Sequence, residues 1–144
     1  MEGKPEIEAK IENVVETSRS TTLGKGNIRI HTVEHLLASL LALEINNAYV
    51  ELDSCEPPIC DGSAREFVRL IQVSGIELQA APVEPILLSS PIEFTVGETQ
   101  MIAFPHDRLK ISCTSADKKG RFTQFYSLEV TPESSVRDLA SART

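Results

Sequence analysis

The chain has 144 residues, 41% hydrophobic and 24% charged, with a formal net charge of −7. That supports one compact domain or two small ones. An acidic chain with no basic stripe argues against a nucleic-acid partner, whose phosphates need neutralising. No run of about 18 apolar residues occurs, so no membrane-spanning helix is expected. The opening MEGKPEIEAK lacks the apolar stretch of a secretory signal. Three cysteines, Cys55, Cys60 and Cys113, are an odd set without paired metal-site spacing. They read as structural thiols of a cytoplasmic protein.

In chain order, residues 6–15 alternate apolar Ile7, Ala9 and Ile11 with charged neighbours and predict a half-buried strand. Residues 17–27, hydroxyl-rich with two glycines, predict a loop, and Ile28 and Ile30 a short strand. The period then changes. Val33, Leu36, Leu37 and Leu40 fall at helical spacing over 33–44, with Thr32 as the expected N-cap. Ala38, Ser39 and Ala42 lie off the leucine stripe and would let another element approach. Asn46-Asn47 is expected to end this helix, and AYVELD (48–53) to form a strand.

Residues 54–62 predict a loop stiffened by Pro57 and Pro58, with a turn at Asp61-Gly62. Ser63 and Glu66 have capping-box spacing ahead of a second helix. Phe67, Leu70 and Ile71 form its apolar face, and Gly75 ends it. A proline-containing linker at 77–85 is followed by four strand-like stretches with turn signals, which predict an antiparallel sheet. A last helix is expected near Pro132.

His31-Thr32-Val33-Glu34-His35 has the H-x-x-E-H spacing. Two histidines four apart share a helix face and can share a metal, and a neighbouring glutamate can activate bound water. The spacing alone leaves two readings open. In the blander and commoner one, His31 ends a strand, Glu34 favours the positive helix N-terminus, and His35 is a half-buried polar residue. The catalytic reading draws on the same field, which favours a carboxylate at Glu34 and a neutral imidazole at His35, as a base and a ligand require.

Around this motif, Ser20-Thr21-Thr22-Leu23, TVEHLL (32–37), Asn47 through Glu51, Glu56 through Ala64 (EPPICDGSA) and Phe67 through Ile71 occur in order, and Ala140 through Thr144 reads ASART. In these marks the chain resembles the UDP-3-O-acyl-N-acetylglucosamine deacetylases, zinc hydrolases of lipid A synthesis in Gram-negative bacteria. The resemblance runs from about residue 6 to the end and is densest over 20–76. It implies an α+β fold of two sheet-plus-helix domains, here 1–80, lacking its opening strands, and 81–144, truncated. It implies zinc as cofactor, with His35 as a ligand, Glu34 as general base, Thr144 lining the zinc site, and Arg19 and Ser20 in a loop beside the cleft. It also implies a UDP-linked acylated glucosamine as substrate and a monomeric, cytoplasmic parent enzyme.

The family completes its zinc site with a histidine and an aspartate of an H-K-x-x-D helix, and a further histidine serves the oxyanion. The histidines here are His31, His35 and His106, and no such pattern occurs. The chain is therefore expected to be about half of the enzyme, inactive alone, with His31 a bystander. Two alternatives remain: an H-x-x-E-H metallopeptidase using both His31 and His35, and a non-catalytic truncated domain.

Overall fold

The computed structural model describes residues 4–117 and 119–143. They form an α+β chain in two compact units. One runs through Ile76 and resumes at Ser135; the other is Glu77–Ser134.

In the first unit, strands β1 (Val14–Glu16), β2 (Thr22–Lys25) and β3 (Ile28–Ile30) form an antiparallel sheet in that order. Residues 6–15 are a strand only at their end. A 3-10 turn, Ile11–Asn13, precedes β1, and Ile11 is exposed. There the Asn13 side-chain amide donates to the Glu8 carbonyl at 2.8 Å and its backbone N–H to Lys10 at 3.0 Å. Such local bonds compete with the sheet ladder. The expected loop 17–27 is corrected too, since its Thr22–Lys25 is β2, with every residue but Lys25 buried. Gly24 sits there because a β-carbon would come within 2.9 Å of both Val15 methyls and of Arg29 Nη1. It reads as a loop residue in sequence but provides close backbone approach in the fold.

Helix α1 (Glu34–Ala42) follows the leucine period, but Thr32 does not cap it. Thr32 is left-handed (φ 53°) and the capping position falls to Val33, which is buried. The helix also ends before Asn46-Asn47. Glu44 is left-handed (φ 56°), its N–H donates to Leu41, and Ile45 N–H reaches back to Leu40 at 2.8 Å. This is the paired closure usually built on glycine. Residues 48–53 are not a strand; Tyr49 is exposed, and no neighbouring strand pairs with them among the described residues.

Helix α2 (Arg65–Ser74) packs against α1. The capping box does not form. Ser63 N–H donates to Asp61 Oδ1 instead, and Glu66 pairs with Arg69. Gly75 (φ 81°) ends the helix as expected. Its most buried apolar residue is Val68, beside the predicted Phe67 and Ile71, whereas Leu70 is exposed. Of the small residues expected to admit another element, Ser39 does so: it and Ser63 are fully buried and Ser39 Oγ lies 3.3 Å from the Ala64 carbonyl, whereas Ala38 is exposed and Ala42 half-buried.

In the second unit no helix or strand occurs over 77–85. The four strand-like stretches become two hairpins rather than one sheet: β4 (Ile92–Val96) with β5 (Thr99–Ala103), and β6 (Lys110–Ala116) with β7 (Thr123–Glu129). Their register is regular, with Phe94 opposite Met101 and Cys113 opposite Tyr126. β7 leads into a helical turn, α3 (Pro132–Ser134), where Ser134 and Thr131 exchange side-chain bonds with each other's backbone N–H. The first unit resumes with a π-helical turn, Ser135–Leu139.

Candidate active site

The segment that joins β3 to α1 carries the candidate site. Thr21 clasps it: the Thr21 N–H donates to Glu34 Oε2 at 3.0 Å, and the Thr21 carbonyl accepts from Val33 N–H at 3.3 Å. The hydroxyl-rich stretch before β2 thus holds the carboxylate at the start of α1. Glu34 and His35 are both half-buried there. The His35 carbonyl accepts from Ser39 Oγ at 2.7 Å, one helical turn on.

His31 has partners of its own. Its Nδ1 lies 3.1 Å from the buried Thr22 hydroxyl, and its backbone N–H donates to the Cys55 carbonyl at 2.8 Å. These bonds link His31 to β2 and to the 54–62 loop. Arg19 is exposed and left-handed (φ 64°), and Ser20 is half-buried, in the bend before β2. Thr144 lies outside the described residues. Its neighbour Arg143 is described, with Nη2 at 3.6 Å from Asp61 Oδ2.

Asp61 is the residue that sequence reasoning treated only as half of a turn. Its Oδ1 accepts the Ser63 hydroxyl at 2.6 Å and the Ser63 N–H at 3.2 Å, and its Oδ2 accepts Arg65 Nη2 at 2.9 Å. The Ser63 hydroxyl, then its N–H, Arg65 and Arg143 hold its carboxyl below the usual range, against an opposing effect of burial. The signal was in the spacing Asp61-x-Ser63-x-Arg65, an Asx-type pattern ahead of a helix.

Among the described residues no group of three His, Cys, Asp or Glu side chains is placed to hold a metal ion. The three cysteines are free and exposed. Among the described residues no helix is long and apolar enough to cross a membrane.

Known proteins are similar to the chain over almost all of its length. A deacetylase from Methylococcus capsulatus, described as UDP-3-O-acyl-N-acetylglucosamine deacetylase, is 42% identical over 141 residues, covering 96% of this chain and 46% of its own length. Relatives of the same description from Pseudomonas entomophila and a Geobacter species are 41% and 37% identical, each over 96% of this chain and 47% and 46% of their own. The chain thus spans about half the length of the curated relatives it matches. The family profile described as UDP-3-O-acyl N-acetylglycosamine deacetylase matches residues 1–144, and the chain belongs to that family.

Proposed function

We propose that the whole protein carrying this chain is a zinc-dependent amidohydrolase that removes the N-acetyl group of UDP-3-O-acyl-N-acetylglucosamine in cytoplasmic lipid A synthesis. In this reading, 1–80 and 81–144 derive from the two α+β domains of a monomeric enzyme. Glu34 is the general base. It takes a proton from the attacking water and delivers it to the departing amine nitrogen, so that amide and water become amine and acetate. His35 is one zinc ligand, Thr144 contacts the reacting group, and Arg19 and Ser20 border the cleft. The observation that carries the reading is the Thr21 clasp on Glu34 at the start of α1, in a chain that the family profile matches over residues 1–144.

The described residues do not by themselves amount to a zinc site, so this chain alone should bind the ion weakly. Isothermal titration of zinc into the 144-residue chain is expected to show no tight stoichiometric binding; a tight one-to-one isotherm overturns the one-ligand assignment. Fused to the second half of the Methylococcus capsulatus relative, the chain should release acetate from the substrate. Glu34→Gln should lower kcat by about 10²–10⁴-fold, while His31→Ala leaves it near the parent value. Loss of both metal and activity in His31→Ala would favour the two-histidine peptidase arrangement instead.

A further inference from the structure

Two stretches carry no reacting group in the proposed function, 54–64 and 140–143, yet bonds join the first to His31 and to Ser39 of α1, and an ion pair joins the second to the first. The first is stiff. Pro57 is buried, Pro57 and Pro58 fix their own φ, and Gly62 N–H closes a turn onto the Ile59 carbonyl at 2.9 Å. It is also fastened at both ends. Cys55 accepts the His31 N–H, three residues ahead of Glu34. At the other end, the Ser39 hydroxyl lies within bonding distance of both the His35 and Ala64 carbonyls, at 2.7 and 3.3 Å. Between these anchors, Asp61 turns its Oδ2 to two guanidinium groups, Arg65 of α2 and Arg143 of the C-terminal stretch. That stretch is itself ordered by Ala140 N–H to Ser135 and Ala142 N–H to Leu139, and Ala140 is buried.

We infer that 54–64 is a strut which fixes the distance between the Glu34–His35 pair and the 140–143 stretch, and that Asp61, through Arg143, is its positioning residue. Arg143 precedes in sequence Thr144, the threonine that the proposed function assigns to the reacting group. The inference rests on the proposed function for its purpose and on the Asp61–Arg143 pair for its mechanism, and the two can be tested apart. The pair is half-exposed, so its effect is modest and local.

Hydrogen exchange on the 144-residue chain tests the mechanism. Asp61→Asn and Arg143→Gln should each speed exchange at the Ala140 and Ala142 amides by about three- to fivefold. The double variant should go no further than either single one, and α1 should be unchanged. Arg65→Gln should leave Ala140 and Ala142 unchanged. Unaltered exchange at Ala140 and Ala142 in the first two variants, or an equal rise throughout α1 and α2, overturns the strut. The purpose is read in the fusion with the second half of the Methylococcus capsulatus relative. There Arg143→Gln should lower kcat about three- to tenfold at unchanged KM, with Arg143→Lys restoring it. A raised KM at constant kcat overturns the positioning role. A parent fusion that releases no acetate overturns the proposed function and leaves the exchange result standing on its own.

Discussion

Asp61 shows how one carboxylate can organise a loop at the scale of single residues. Its oxygens accept from Ser63 twice and from Arg65 once, with Arg143 close by. All of these favour the ionised form, so the folded chain holds its proton less tightly than the unfolded chain does. A lowered carboxyl gives stability that is fully present above the ordinary value and is lost as pH falls through the lowered one. Urea denaturation at a series of pH values should therefore show the gap between the parent and Asp61→Asn narrowing as pH falls below about 4, the ordinary carboxyl value. A constant gap across that fall counts against the role given to the charge. Ser39 works differently. It is fully buried and its one hydroxyl hydrogen is within reach of two carbonyls, the nearer being that of His35, so it is a neutral link insensitive to pH. Both residues were visible in the sequence, but only as a turn former and a small residue. Which atoms they join is a three-dimensional fact.

At the scale of elements, the leucine period placed α1 within a residue or two, because a helix carries its own hydrogen bonds and its face can be read locally. Its ends were not legible. Thr32 looked like a cap, but the carboxylate of Glu34 is held by Thr21 across the β2 junction, and Thr32 turns left-handed. The other end closes at Glu44, left-handed without being glycine. A side chain there is strained, so Glu44→Gly should stabilise the chain by roughly 0.5–1 kcal/mol, read as a higher urea midpoint at unchanged slope. A lower midpoint would mean that the Glu44 side chain contributes more than its backbone costs. Strands fared worse than helices for a plain reason. The alternation in 6–15 and 48–53 is real, but a strand needs a neighbour, and neither stretch finds a full one among the described residues. Conversely, β2 was hidden behind Gly24, whose missing side chain is what lets Val15 and Arg29 close on it.

For the whole molecule, burial is uneven. The buried apolar residues Leu23, Val33, Ala64, Val68 and Ala140 all belong to the first unit. In the second unit every residue of β4, β5 and β6 is exposed, including Phe94, Met101 and Ile111. A two-stranded hairpin with no buried face is marginal in water. Amides of the β4–β5 hairpin should accordingly exchange faster than those of α1 and β2, in the regime set by local opening. Equal protection in both units would show that the hairpins are supported by more than their own pairing.

The sequence by itself determined the family, the H-x-x-E-H segment, the α1 and α2 helices and the hairpin strands. Each of these is written in local spacing or in motifs whose order survives without coordinates. It also fixed what is chemically present, with Glu34 and His35 adjacent and few other histidines. Only the tertiary structure decided that His31 is engaged with Thr22 and Cys55, that Thr21 holds Glu34, and that Asp61 reaches Arg143 across 82 positions (143 − 61). Those choices depend on which backbone and side-chain donors meet after the chain closes, and a linear pattern does not encode such meetings when the partners lie far apart.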